Sequence, residues 1–132
     1  MSPQVTTISE EDFASTSTIR NYVVDIDPGG EDAPDTIESL LAAYGACYMP
    51  ALRVSAKQRD LGELGRIENV VDGPVDENGK LVSIAFDITV DAELSADDVS
   101  ALIERADELC KVHAAIRPRL QADITVNGLE PS

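Results

Sequence analysis

The chain has 132 residues, 43% of them apolar, and its 25 acidic against 10 basic side chains leave a formal charge of −15. That length carries one domain with a real core, and no run of about 18 apolar residues is present to span a membrane. The negative field repels nucleic acid and anionic lipid, and a dense carboxylate surface with only Lys57, Lys80 and Lys111 as lysines marks a protein working in concentrated salt, where self-repulsion is screened.

The opening segment, MSPQVTTISEEDF, lacks the basic-then-apolar order of a signal peptide, so a cytoplasmic location is expected. Residues 1–12 read as a frayed start with a short strand near Val5–Ile8. From Phe13 to Asp27 the chain is rich in Thr, Val and Ile and reads as one or two strands, the better one over Thr18–Ile26, ended by Pro28-Gly29-Gly30.

Asp35 followed by Glu38 forms a capping box. It opens a run with Ile37, Leu40, Leu41, Tyr44, Cys47, Tyr48, Ala51 and Leu52 on one helical face, so a long central helix is expected to about Arg59, stopping near Gly62. The small Ala42, Ala43, Gly45 and Ala46 invite close packing, and Pro50 is expected to bend the helix just after Cys47.

Asp76-Glu77-Asn78-Gly79 between Leu64–Val75 and Leu81–Val90 is a hairpin signal, and Val82, Ile84, Phe86, Ile88 and Val90 alternate as the core face of the second strand. Ser95 with Asp98 starts a second helix, with Val99, Leu102, Ile103, Ala106, Leu109 and Cys110 on its apolar face. A final strand is expected through Leu120, Ala122, Ile124 and Val126. Strands and helices do not alternate singly, which points to an α+β sheet with segregated helices in a single domain over 1–132.

Two cysteines in a reducing compartment are core residues or redox residues rather than a permanent staple. Cys47 and Cys110 both lie on apolar faces and so point into one interior, and the pattern alone leaves buried thiols and a redox pair evenly balanced. Zinc is disfavoured, because a closed site needs four ligands and the chain has two cysteines and one histidine. Gly29-Gly30 is a turn and not a phosphate loop, and no cofactor is expected.

Gly29-Gly30-Glu31-Asp32-Ala33-Pro34, leading into Glu38-Ser-Leu-Leu-Ala-Ala-Tyr-Gly-Ala-Cys47, resembles the OsmC/Ohr family. So does Cys110-Lys111-Val112-His113, which answers to that family's second motif, C-P-V-H or C-P-V-S, at the end of the next helix. The similarity runs from about Arg20 to the end of the chain and is greatest to the general OsmC-like branch. Thr36 stands where the motif has a second proline, Lys111 stands where it has the proline after the second cysteine, and Pro50 is unusual.

The resemblance implies an OsmC-like fold, with an antiparallel sheet packed on the long central helix in an intertwined homodimer. It further implies a peroxidase acting on organic hydroperoxides or hydrogen peroxide. Cys47 would attack, Cys110 would resolve the sulfenic acid as a disulfide, and a dithiol reductant would restore both. Arg20, in Arg20-Asn-Tyr ahead of Asp27-Pro28, matches the activating arginine, with Arg53 and Arg117 as alternatives. Glu38 matches the glutamate that orients it. His113 is expected to cap helix carbonyls rather than tune Cys110, and Tyr44 and Tyr48 to pack rather than to meet substrate. The rival reading keeps the fold without turnover, as a dimeric binding or redox-sensing module with inert thiols.

Overall fold

The computed structural model describes residues 2–129, in two compact units that meet in sequence between Leu40 and Leu41. The N-terminal unit is a three-stranded antiparallel sheet, β1 (Thr6–Ile8), β2 (Ser15–Ile19) and β3 (Tyr22–Ile26), in that order. The pairing Ile19↔Tyr22 leaves a two-residue turn at Arg20-Asn21, with Arg20 at φ 58°. The strand expected over Thr18–Ile26 is therefore broken at Arg20. A left-handed residue cannot continue a pleat, and it matches the primed turns that join twisted strands. The short strand expected near Val5–Ile8 is β1, paired along β2 from Thr6↔Thr18 to Ile8↔Thr16.

After β3 the chain turns around Asp27, whose carboxylate accepts the N–H groups of Gly29, Glu31 and Asp32 at 3.0, 3.3 and 3.2 Å. Those donors, Asp32 and Gly29 foremost, hold the Asp27 carboxyl below its ordinary value. Asp35 then caps α1 (Thr36–Gln58): it accepts the Glu38 N–H at 2.7 Å while Glu38 Oε1 accepts the Asp35 N–H at 2.9 Å.

From Leu41 onward the chain builds a second layer pair. Its sheet has the order β4 (Ile67–Asp72), β5 (Ala85–Glu93), β6 (Asp123–Leu129), and α2 (Ala96–Leu109) with the short α3 (Lys111–Ala115) connects β5 to β6. The expectation of an antiparallel sheet holds for β4 and β5. β6 runs parallel to β5, because a two-helix connection brings the chain back to the end from which β5 started.

The core joins α1 and α2 to this sheet through Tyr44, Tyr48, Leu52, Phe86, Ile88 and Leu102, all at most 1% exposed. At Gly45 α1 runs close against β4: a Cβ there would lie 2.7 Å from Val71 Cγ2. Gly45→Ala would recover the helix propensity that glycine forgoes, about 1 kcal/mol, and lose about 1–3 kcal/mol to overpacking. The helical backbone continues unbroken through Pro50. None of the helices among the described residues is long and apolar enough to cross a membrane.

Two further details depart from the sequence expectation. Val82, expected in the core face, is 52% exposed, whereas Ile84, Phe86, Ile88 and Val90 are buried. Between the bridge Val75↔Leu81 and the pair Asp72↔Ala85 one arm holds two residues and the other three. The extra residue reverses which side faces inward, and Pro74 has no N–H to keep the ladder regular. Leu120 lies in a 3-10 turn, Pro118–Leu120, and β6 begins only at Asp123.

Candidate functional site

Helix α1 places Cys47, and the junction of α2 and α3 places Cys110. Both thiols are free, Cys47 half-buried and Cys110 only 1% exposed. The junction exists because Cys110, with extended φ −75° and ψ 111°, ends α2 and at once caps α3, its Sγ accepting the His113 N–H at 3.4 Å. A thiol is an uncommon cap, and here it fixes the sulfur at the mouth of the short helix.

The Cys47 sulfur meets the Cys110 thiol and the backbone N–H groups of Val112 and Lys111. Burial opposes the Cys47 thiolate, but the Val112 N–H, the Cys110 thiol, the Lys111 N–H and the Lys111 charge together outweigh it and hold the Cys47 thiol below its ordinary value. Cys110 moves the other way. Burial and the adjacent Cys47 sulfur push it up to about 11, against the opposing His113 and Val112 N–H groups. One thiol of the pair is poised to ionise and the other to keep its proton.

Behind the pair lies a buried polar network. Tyr44 Oη accepts the Ala122 N–H at 3.0 Å and stands 2.6 Å from His113 Nδ1. The arrangement satisfying both has Tyr44 donating to Nδ1, which puts the imidazole proton on Nε2. Burial pushes the Tyr44 phenol up, and burial together with the Asp107 carboxylate pushes up Tyr48, whose hydroxyl donates to Asp107 Oδ1 at 2.7 Å. Both phenols hold their protons and pack edge-on against Phe86.

The structure thus brings together Cys47, Cys110, Tyr44, Tyr48 and His113. It corrects the reading of His113 as a carbonyl cap: the ring is buried and bonded to Tyr44, and only the main-chain N–H turns toward Cys110. Cys-X-X-His is the spacing of a cap and its third helical residue, which is the signal that could have found this turn. Asp107 went unnoticed because it reads as one more charge on a helix, and Lys111 was noted only as a departure from the motif.

Arg20 and Glu38 belong to the N-terminal unit. Arg20 lies over the Tyr22 ring, 5.0 Å from its centroid, and Glu38 is engaged in the cap of α1. Arg53 lines an open cavity of about 740 Å³ with Lys57, Asp60 and Leu64, to which neither cysteine contributes. Arg117 precedes the 3-10 turn and is exposed. Among the described residues, no group of three or more His, Cys, Asp or Glu side chains is placed to hold a metal ion.

Residues 29–125 match the family described as OsmC-like protein. An uncharacterized protein of Haloferax volcanii is 37% identical over 125 residues, 95% of each chain, which fits the salt-adapted origin read from the charge. In structure, the chain is similar to an OsmC-like protein from Mycoplasma pneumoniae, with a TM-score of 0.85 at 15% identity over 98% of this chain and 99% of that one. It is also similar to the organic hydroperoxide resistance protein OhrB of Bacillus subtilis, with a TM-score of 0.68 at 23% identity over 96% and 98%.

Proposed function

This chain belongs to the family of OsmC-like proteins, and on that premise we propose that it is a thiol-dependent hydroperoxide reductase, with Cys47 as the attacking and Cys110 as the resolving thiol. The observation that carries the reading is the apposed, oppositely perturbed pair: Cys47 held low and Cys110 held high. The Cys47 thiolate attacks the terminal oxygen of the hydroperoxide, the O–O bond breaks, the OH stays on sulfur as the sulfenic acid, and the alkoxide leaves and takes a proton from water to become the alcohol. Cys110 then attacks that sulfur; hydroxide leaves, takes up the Cys110 proton as water, and a 47–110 disulfide remains. A dithiol reductant of the cytoplasm returns two electrons and two protons by thiol–disulfide exchange.

Stopped-flow oxidation of the reduced protein by organic hydroperoxides and by hydrogen peroxide tests this. The expected result is saturation at one equivalent with a 47–110 disulfide seen by mass spectrometry. Thiols that stay reduced would instead establish a binding module with inert cysteines.

The working form on this reading is a homodimer. The N-terminal sheet supports it, since among residues 2–40 only Ser17 is buried. Phe13, Tyr22 and Val23 are 83%, 58% and 64% exposed, and a lone three-stranded sheet with such faces requires a cover. With a charge of −15 on each subunit, lowering the salt should dissociate the dimer. Light scattering across a salt series is expected to show monomer at low ionic strength and dimer at molar salt; an unchanged dimer with an unchanged melting temperature refutes the salt requirement.

We assign the activating guanidinium to Arg20 and its orientation to Glu38. Arg20→Ala is expected to raise the Cys47 pKa and slow peroxide attack roughly tenfold or more with the fold retained, and Glu38→Gln to act the same way more weakly. The measurement is the pH dependence of single-turnover oxidation. A fully active Arg20→Ala protein moves the assignment to Arg53 or Arg117.

A further inference from the structure

A cysteine side chain turns about a single torsion with a few staggered settings, and a resolving thiol must hold the one that faces its target when the sulfenic acid forms. At Cys110 the sulfur is engaged by the His113 N–H at 3.4 Å. His113 is itself tied at its carbonyl and its ring. The carbonyl accepts Gln121 Nε2 at 3.1 Å, and ring Nδ1 meets Tyr44 Oη at 2.6 Å. Tyr44 is fixed in turn by the Ala122 N–H at 3.0 Å and by its edge packing on Phe86. Tyr44, Cys110 and His113 are all buried, so bulk water does not compete for these bonds. A five-residue helix such as α3 is far below the ~12–15 residues at which an isolated helix becomes marginally stable, so its shape is set by those ties.

We propose that Tyr44 and His113 are positioning residues for the resolving step. Tyr44 holds the His113 ring, His113 holds Cys110 Sγ through its main chain, and together they keep that sulfur in the setting from which it attacks oxidised Cys47. The inference rests on the peroxidase reading and deepens it, giving the second half of the reaction a support that the first half does not use. In that step the Cys110 sulfur forms the S–S bond, the S–O bond of the Cys47 sulfenic acid breaks, and hydroxide leaves and takes up the Cys110 proton as water. The competing reaction is attack of the Cys47 sulfenate on a second hydroperoxide, which yields sulfinic acid and another alcohol. A Cys110 released from its setting loses ground to that competitor, while the first attack, made by Cys47 from α1, keeps its rate.

The test uses the reduced full-length protein. Single-turnover stopped flow with cumene hydroperoxide reads the first attack, and mass spectrometry across a peroxide series reads how Cys47 divides between the 47–110 disulfide and sulfinic acid. H113L, close in volume but without the ring acceptor, and Y44F should each leave the first attack within about twofold. Each should lower the peroxide concentration that gives half sulfinic acid by roughly three- to tenfold, the worth of one hydrogen bond. H113N should restore the wild-type division, because an asparagine Oδ1 stands as many bonds from the backbone as Nδ1 and can accept the Tyr44 proton. H113L dividing as the wild type does overturns the assignment, whatever the stability of Y44F. So does H113L slowing both steps together, or H113N behaving as H113L, since a merely structural role predicts those results. A wild type that forms no 47–110 disulfide overturns the peroxidase reading and this inference with it.

Discussion

Cys47→Ser will abolish consumption of hydroperoxide, with a loss on the order of a thousandfold or more, equivalent to about 4 kcal/mol of barrier. A serine hydroxyl does not ionise near neutral pH, and oxygen lacks the polarizability with which a thiolate attacks an O–O bond. Cys47 is half-buried and the substitution changes one atom, so the melting temperature should move little, and a peroxide-dead but folded protein is the expected outcome. The pH profile of the wild type sharpens the test. Because the Cys47 thiol is held below its ordinary value, the rate of attack should climb with pH and level off earlier than for free cysteine. Retained peroxide consumption in Cys47→Ser would remove Cys47 from the chemistry.

Cys110→Ser separates the two halves of the reaction. This variant should take up about one equivalent of oxidant and stop, leaving a Cys47 sulfenic acid that dimedone traps and that excess peroxide drives to sulfinic acid. In the intact protein, Cys110 remains a thiol at neutral pH because burial pushes it up to about 11. On the proposed mechanism it loses its proton only as it attacks, to the departing hydroxide. The serine oxygen can inherit the cap on the His113 N–H, so α3 should persist in the variant. Multiple turnovers by Cys110→Ser with a monothiol absent from the buffer would exclude Cys110 as the resolving group.

Much of this arrangement was legible in the sequence where one local rule decides. The capping boxes Asp35–Glu38 and Ser95–Asp98 set two helix starts, and the alternation Ile84, Phe86, Ile88, Val90 set the core face of β5. The two cysteines on apolar faces pointed into one interior. What escaped depended on counts and distances between segments. Val82 was misread because the odd residue near Pro74 is invisible to a two-residue period. The parallel placement of β6 follows from where a connection ends, which no window of sequence contains. His113 was misread because its partner, Tyr44, is 69 residues away. Lys111 and Asp107 matter through what they face, while their residue types say only that they are charged.

The Tyr44 hydroxyl, joined both to His113 and to the Ala122 N–H 78 positions along the chain, has a further consequence in the order of folding. Helix α1 can form early from local contacts, but the turn that carries Cys110 is held against it by groups supplied from the last part of the chain. Closing so long a loop is entropically slow, and the rewards come only when β6 has docked. On the proposed reading, thiol activation is therefore a late event: until the final strand completes the sheet, Cys47 lacks the folded surroundings that hold its thiol low.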